Sequence, residues 1–135
     1  MASDLASPLQ SPGVLGILLI SGSHERAHYA FVVAAGAAAT GRRVVVFATN
    51  EACRALCTDW SGLHEAGRDA AVRMRGIAGI GELRGAAVEL GVRLIACEAG
   101  LRIDGIAPAL LLPEVEVAGV ASFLEASAGG QIVSL

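Results

Sequence analysis

Gly91-Val92-Arg93-Leu94-Ile95-Ala96-Cys97-Glu98-Ala99-Gly100-Leu101-Arg102-Ile103-Asp104-Gly105-Ile106 is the stretch on which the fold turns. Val92 to Ala96 is a short run, mostly apolar, of the kind that forms a buried strand. A helical pattern follows: Leu101 repeats from Cys97 at i+4, and Gly105 stops it. Cys97 therefore stands where a strand gives way to a helix start. In an open α/β sheet, ligands gather at the carboxyl ends of the strands. Backbone N–H groups at a helix N-terminus favour a thiolate over a thiol. Placement makes Cys97 the first candidate for chemistry. The competing reading is a small buried apolar side chain, which is what most free cysteines are.

Outward from this stretch the same alternation repeats. Val14 to Ser21 (VLGILLIS) is a nearly continuous apolar run, as expected of a strand covered on both faces. Ser21-Gly22-Ser23 is its exit, and a long helix follows from about Glu25 to Thr40, closed by Gly41. That helix is apolar on more than one side. One side suits the sheet and the other is offered to a second subunit. Arg43 to Thr49 is a second strand. Asn50 then reads as the N-cap of a short helix, Glu51 to Cys57. Residues 58–68 read as a polar loop, and Ala70 to Ile80 as a helical turn broken by Gly76 and Gly79. Ile80 to Leu90 is helical. Beyond the cysteine strand, Val115 to Ala118, Val120 to Ser127 and Gln131 to Ser134 give strand, helix and strand. Strands alternating with helices predict an α/β fold: a three-layer α/β/α sandwich around a mostly parallel sheet. Residues 1–13 are expected to form a flexible leader and residues 14–135 one domain.

Composition narrows the function classes. The chain has 135 residues, 54% of them hydrophobic, with a net charge of -3. Its mean hydropathy is +0.61, above the usual range for a domain of this size, which points to a large subunit interface. All ten basic residues are arginine, and they form no basic stripe, so a nucleic-acid partner is not expected. Three cysteines, an odd number, argue against a disulfide framework and for a reducing compartment. The run from Val14 to Ile20 is too short to span a membrane and lacks a basic flank. The expected location is the cytoplasm.

Four further signals bear on a site. His24-Glu25-Arg26-Ala27-His28 matches the H-E-x-x-H zinc pattern literally. It lies at a helix start directly after a strand, with only His64 left as a further histidine. A second use of the pair is support for a Cys97 thiolate, since the exits of the first and third strands share one edge of a parallel sheet. Ser21-Gly22-Ser23 offers an anion cradle, or a plain strand-to-helix turn. Cys53 and Cys57, at i and i+4, form either an apolar helix face or half a metal site. The loop with Asp59, Trp60, His64 and Glu65 suits a lid, a subunit contact or a plain solvated loop alike. Arg102, one turn beyond Glu98, is placed to pair with that carboxylate beside Cys97.

Gly91 to Ile106, Val115 to Ser127 (VEVAGVASFLEAS) and Gln131 to Leu135 together resemble the DsrE/DsrF-like family, and Val14 to Thr49 is similar to that family's first β-α-β unit. The resemblance implies a five-stranded sheet and assembly into trimers or hexamers. It also implies a role in intracellular sulfur relay, with protein sulfur donors and acceptors and no cofactor. In active members the cysteine after the third strand accepts sulfane sulfur as a persulfide and passes it on, and Cys97 matches that position. Two further readings accompany this one. The first is a non-catalytic oligomeric binding or scaffold protein of the same fold. The second is a metal site built on His24 and His28.

Overall fold

The computed structural model describes residues 13–135, so all but the last residue of the expected leader lies outside the described residues. Five strands, β1 (Leu15–Leu19), β2 (Val44–Ala48), β3 (Arg93–Cys97), β4 (Glu116–Ala118) and β5 (Gln131–Ser134), form one sheet in the order β4-β3-β2-β1-β5. Every pairing is parallel. The five helices are α1 (His24–Ala39), α2 (Arg68–Met74), α3 (Ile80–Glu89), α4 (Glu98–Ile103) and α5 (Val120–Ala126). Parallel neighbours need crossovers, and the helices between the strands supply them.

β2 is the centre. Val44-Val45-Val46-Phe47-Ala48 is β-branched and apolar, and all five residues are buried. Alternate side chains feed two cores. Val44, Val46 and Ala48 join Leu15, Ile17, Leu19, Leu94 and Ala96 under α1 and α3. Val45 and Phe47 join Val14, Ile95, Cys97 and Phe123 on the other face. The second core is thin, because only the seven residues of α5 lie over it. Phe47 and Phe123 stack there with centroids 5.1 Å apart. Gly16 makes that approach possible. A Cβ on it would lie 2.9 Å from the Ser127 Cβ and 3.1 Å from the Phe123 ring.

Three sequence expectations need correction. The second apolar flank of α1 is not left for a partner, because α3 packs along it within the chain. Asn50 is not an N-cap: it has φ 55° and begins a 3-10 turn over Asn50–Leu56 with no side-chain cap. Asparagine tolerates the left-handed region better than most residues, so the chain can turn sharply there. A true helix, α2, occupies Arg68–Met74, partly inside the expected loop, and ends before Gly76 at φ 77°.

The 3-10 turn is held from below by a buried cation. Arg84 donates to the carbonyls of Ala55 at 2.8 Å, Cys57 at 2.6 Å and Thr58 at 3.4 Å. The Ala55 carbonyl is one that a helix end leaves unpaired, and the other two follow the turn. Among the described residues no helix is long and apolar enough to cross a membrane.

Gly16→Val tests the packing of α5. The added methyls must displace Ser127 and Phe123, so urea denaturation is expected to show a loss of about 2 kcal/mol with helical content retained. Unchanged stability would mean that α5 is free to move off the sheet.

Candidate functional site

Parallel strands bring their carboxyl ends to one edge of the sheet, and Cys97 is the last residue of β3 at that edge. It is also the residue that caps α4. Its backbone is extended (φ -69°, ψ 121°), and its Sγ accepts a hydrogen bond from the Gly100 N–H at 3.4 Å. The side chain is 8% exposed and sits in the thin core with Phe47, Ile95 and Phe123, with Ala118 beside them. Gly100 permits the turn. A Cβ there would lie 2.3 Å from the Asn50 backbone nitrogen and 2.7 Å from Thr49 Oγ1. The exits of β2 and β3 therefore lock together through one missing side chain. Glu98 and Arg102 pair at 3.9 Å on the exposed side of α4, as their spacing suggests. An exposed pair of this kind is worth little by itself.

The serines of Ser21-Gly22-Ser23 are engaged locally. Ser23 caps α1, its Oγ accepting from the Arg26 N–H at 3.2 Å, and the Ser21 Oγ receives the Ser23 N–H at 3.1 Å. The first N–H of α1 donates to the His64 carbonyl at 2.9 Å, and the His64 N–H returns to Gly22. The turn is satisfied from within, which is the plain strand-to-helix reading. The His64 ring lies 2.5 Å from Glu51, so the loop at residues 58–67 clips the exits of β1 and β2.

His24 and His28 go elsewhere. His24 is fully buried, and its Nε2 is 2.8 Å from the Asp69 carboxylate. The His28 Nε2 donates to the Ala78 carbonyl at 2.9 Å, and the two rings stack 5.6 Å apart. Neither ring hydrogen-bonds Cys97 among the described residues. Zinc by the H-E-x-x-H pattern needs a free nitrogen on each ring aimed at one point. Here the Nε2 atoms are committed to two different partners. No group of three or more His, Cys, Asp or Glu side chains among the described residues could hold a metal.

Cys53 and Cys57 belong to the larger core. The Cys53 thiol donates to the Ala48 carbonyl at 3.4 Å, and Cys57 to the Cys53 carbonyl at 3.7 Å. Burial pushes the Cys53 thiol up to about 12, so it stays protonated at neutral pH. Burial raises Cys57 as well.

The family model for the DsrE/DsrF/DrsH-like family matches residues 57–133, more than half of the chain. The chain belongs to that family. The match includes β3, Cys97 and the chain beyond it as far as Val133. Two solved structures share the fold. The YchN protein of E. coli superposes with a TM-score of 0.61 at 12% identity, covering 93% of this chain and 100% of that one. A protein of unknown function from Methanobacterium thermoautotrophicum gives 0.56 at 17% identity, covering 91% and 99%. No curated protein matches the sequence.

Asp69 was not singled out by sequence, yet it joins three helices. It takes the His24 Nε2 and the Ile80 N–H, both at 2.8 Å, and so ties α1, α2 and α3 together. Burial works to raise its carboxyl, and the hydrogen bonds from His24 and Ile80 outweigh it, holding the group below its ordinary value. A depressed carboxylate contributes stability in full above the unfolded pKa, about 3.9, and loses it as pH falls through the lower folded value. Stability measured from pH 5 down to pH 2 is therefore expected to fall more steeply in the wild type than in Asp69→Asn. Equal slopes would remove Asp69 from this role.

Proposed function

We propose that the protein carries sulfane sulfur as a persulfide on Cys97, in intracellular sulfur relay. The observation that supports this most is the placement of Cys97 at the carboxyl end of β3, with a backbone N–H on its sulfur, in a chain of the DsrE/DsrF/DrsH-like family. The exchange balances without an added oxidant. The Cys97 thiolate attacks the outer sulfur of a donor R–S–SH, an S–S bond breaks and another forms, and Cys97–S–SH and R–S⁻ result after proton exchange. An acceptor thiolate then takes the outer sulfur and restores Cys97. Cys53 and Cys57, kept as buried thiols, do not compete. Three free cysteines suit a reducing cytoplasm.

A second reading, an oligomeric binding or scaffold protein, has its own support. Cys97 is nearly buried, and apolar side chains stand exposed around the thin face of the sheet. Val120 is 53% exposed and Leu124 52%. Both readings expect a homo-oligomer covering this face, and the family resemblance favours a trimer or hexamer. Sedimentation at micromolar concentration should give a species heavier than the 13.6 kDa chain; a monomer would contradict the assembly.

Intact mass after incubation with a sulfane-sulfur donor separates the two functions. The carrier predicts a reductant-sensitive gain of whole sulfur atoms, mapped to the Cys97 peptide and abolished in Cys97→Ser. Wild-type protein that stays unmodified across protein and small-molecule donors, or that gains sulfur on Cys53 or Cys57 instead, overturns it.

A further inference from the structure

A cleft of about 740 Å³ lies on the side of the sheet that carries α1 and α3, away from the Cys97 side chain. Trp60, Asp69, Arg73 and Glu82 line it, together with the glycine-rich backbone between α2 and α3. Three of these side chains present unused hydrogen-bonding capacity among the described residues. Asp69 has a side chain only 5% exposed, and its Oδ1 is fully engaged by His24 and Ile80, while its Oδ2 has no partner. The Arg73 guanidinium makes neither a hydrogen bond nor an ion pair, and the Trp60 indole N–H is likewise free. Glu82 differs, since its Oε1 caps the Gly79 N–H at 3.1 Å.

Asp69 and Arg73 face each other across one point. A Cβ on Gly79 would be 2.5 Å from Asp69 Oδ2 and 2.8 Å from Arg73 Cδ. Yet the two opposite charges do not close into an ion pair. Asp69 Oδ2 opens onto the cleft beside the unpaired guanidinium, and a molecule with both a donor and an acceptor can bridge the two through charge-assisted hydrogen bonds. A lone anion would meet the Asp69 and Glu82 carboxylates. A lone cation would meet Arg73. A small zwitterion satisfies both, and Trp60 supplies an aromatic wall for what it carries.

We propose that this cleft binds a free α-amino acid, its ammonium on Asp69 Oδ2 and its carboxylate on Arg73, with Trp60 alongside. The site lies apart from Cys97 and does not depend on sulfur carriage.

Trp60 is the only tryptophan in the chain, so its indole N–H gives a single resolved ¹H–¹⁵N signal at the cleft itself. The test titrates the full-length protein with a panel of the common L-α-amino acids, and separately with acetate and methylammonium. At least one amino acid should shift the signal saturably, with half-saturation at or below about 5 mM. Arg73→Ala, a change at an exposed side chain, should weaken it about tenfold, as loss of one charge-assisted contact implies. Asp69→Asn should do the same wherever its spectrum shows a folded chain. Acetate and methylammonium should fail to saturate over that range. No saturable shift with any member of the panel would overturn the proposal. So would an equal response to acetate alone, or binding unchanged in Arg73→Ala. Sulfur loading of Cys97 in Arg73→Ala, read by intact mass, should match the wild type whatever the cleft does.

Discussion

Strand β2 is buried on both faces, and the geometry of the molecule descends from that. A strand without a polar side chain needs cover above and below, and a parallel neighbour on each side to satisfy its backbone. β1 and β3 supply the pairing, and parallel pairing forces all three exits to the same edge. Ser21, Thr49-Asn50 and Cys97 meet there because the ladder is parallel, not because they attract one another. The last ångström comes from Gly100, where the absence of a Cβ lets α4 start against the backbone of Asn50. A cysteine capping a loosely packed α4 would have no fixed donor. This one has the Gly100 N–H.

The two faces of β2 are covered unequally. α1 and α3 bury one side deeply, with Ile17, Leu19, Phe31 and Ile80 wholly inside. The other side has α5 alone, and its two aromatic anchors, Phe47 and Phe123, carry most of the contact. Burying one such ring contributes on the order of 2 kcal/mol, which is modest for the only cover of a sheet face. On this side Val120 and Leu124 of α5 remain in water. Sequence reasoning assigned the apolar surplus in the composition to α1, because a helix apolar all round advertises two buried sides without saying which neighbour takes the second. α3 takes it.

What was legible in the sequence is what local periodicity encodes. The five strands, α1 and α3, the strand-to-helix position of Cys97 and the pairing of Glu98 with Arg102 all lie within short windows where side-chain spacing is informative. What was missed depends on residues far apart in the chain. His24 meets Asp69 across 45 positions, and Arg84 reaches Cys57 across 27. No local pattern reveals that a histidine at a helix start faces a carboxylate on a helix not yet recognised. The H-E-R-A-H string misled for the same reason. It fixes which two rings share a helix face, while the partners of their nitrogens are set by the tertiary fold. Asn50 shows a third kind of miss. Its composition suits a cap and a left-handed turn equally, and the close approach of α4 decides between them.

The site and the exposed face are mechanically joined. Cys97 and Ala118 are register partners on β3 and β4, and Ala118 packs with the small core that holds the cysteine. Val120 begins α5 two residues after Ala118, so its exposed side chain sits on the segment that walls Cys97. A molecule that covers it bears on the access to the sulfur. Interiors transmit such displacements because they are close-packed rather than fluid. At 8% exposure, Cys97 has little free surface of its own through which a donor could approach. The proposed assembly and the proposed sulfur exchange therefore draw on the same place, where Ala118 and α5 border Cys97.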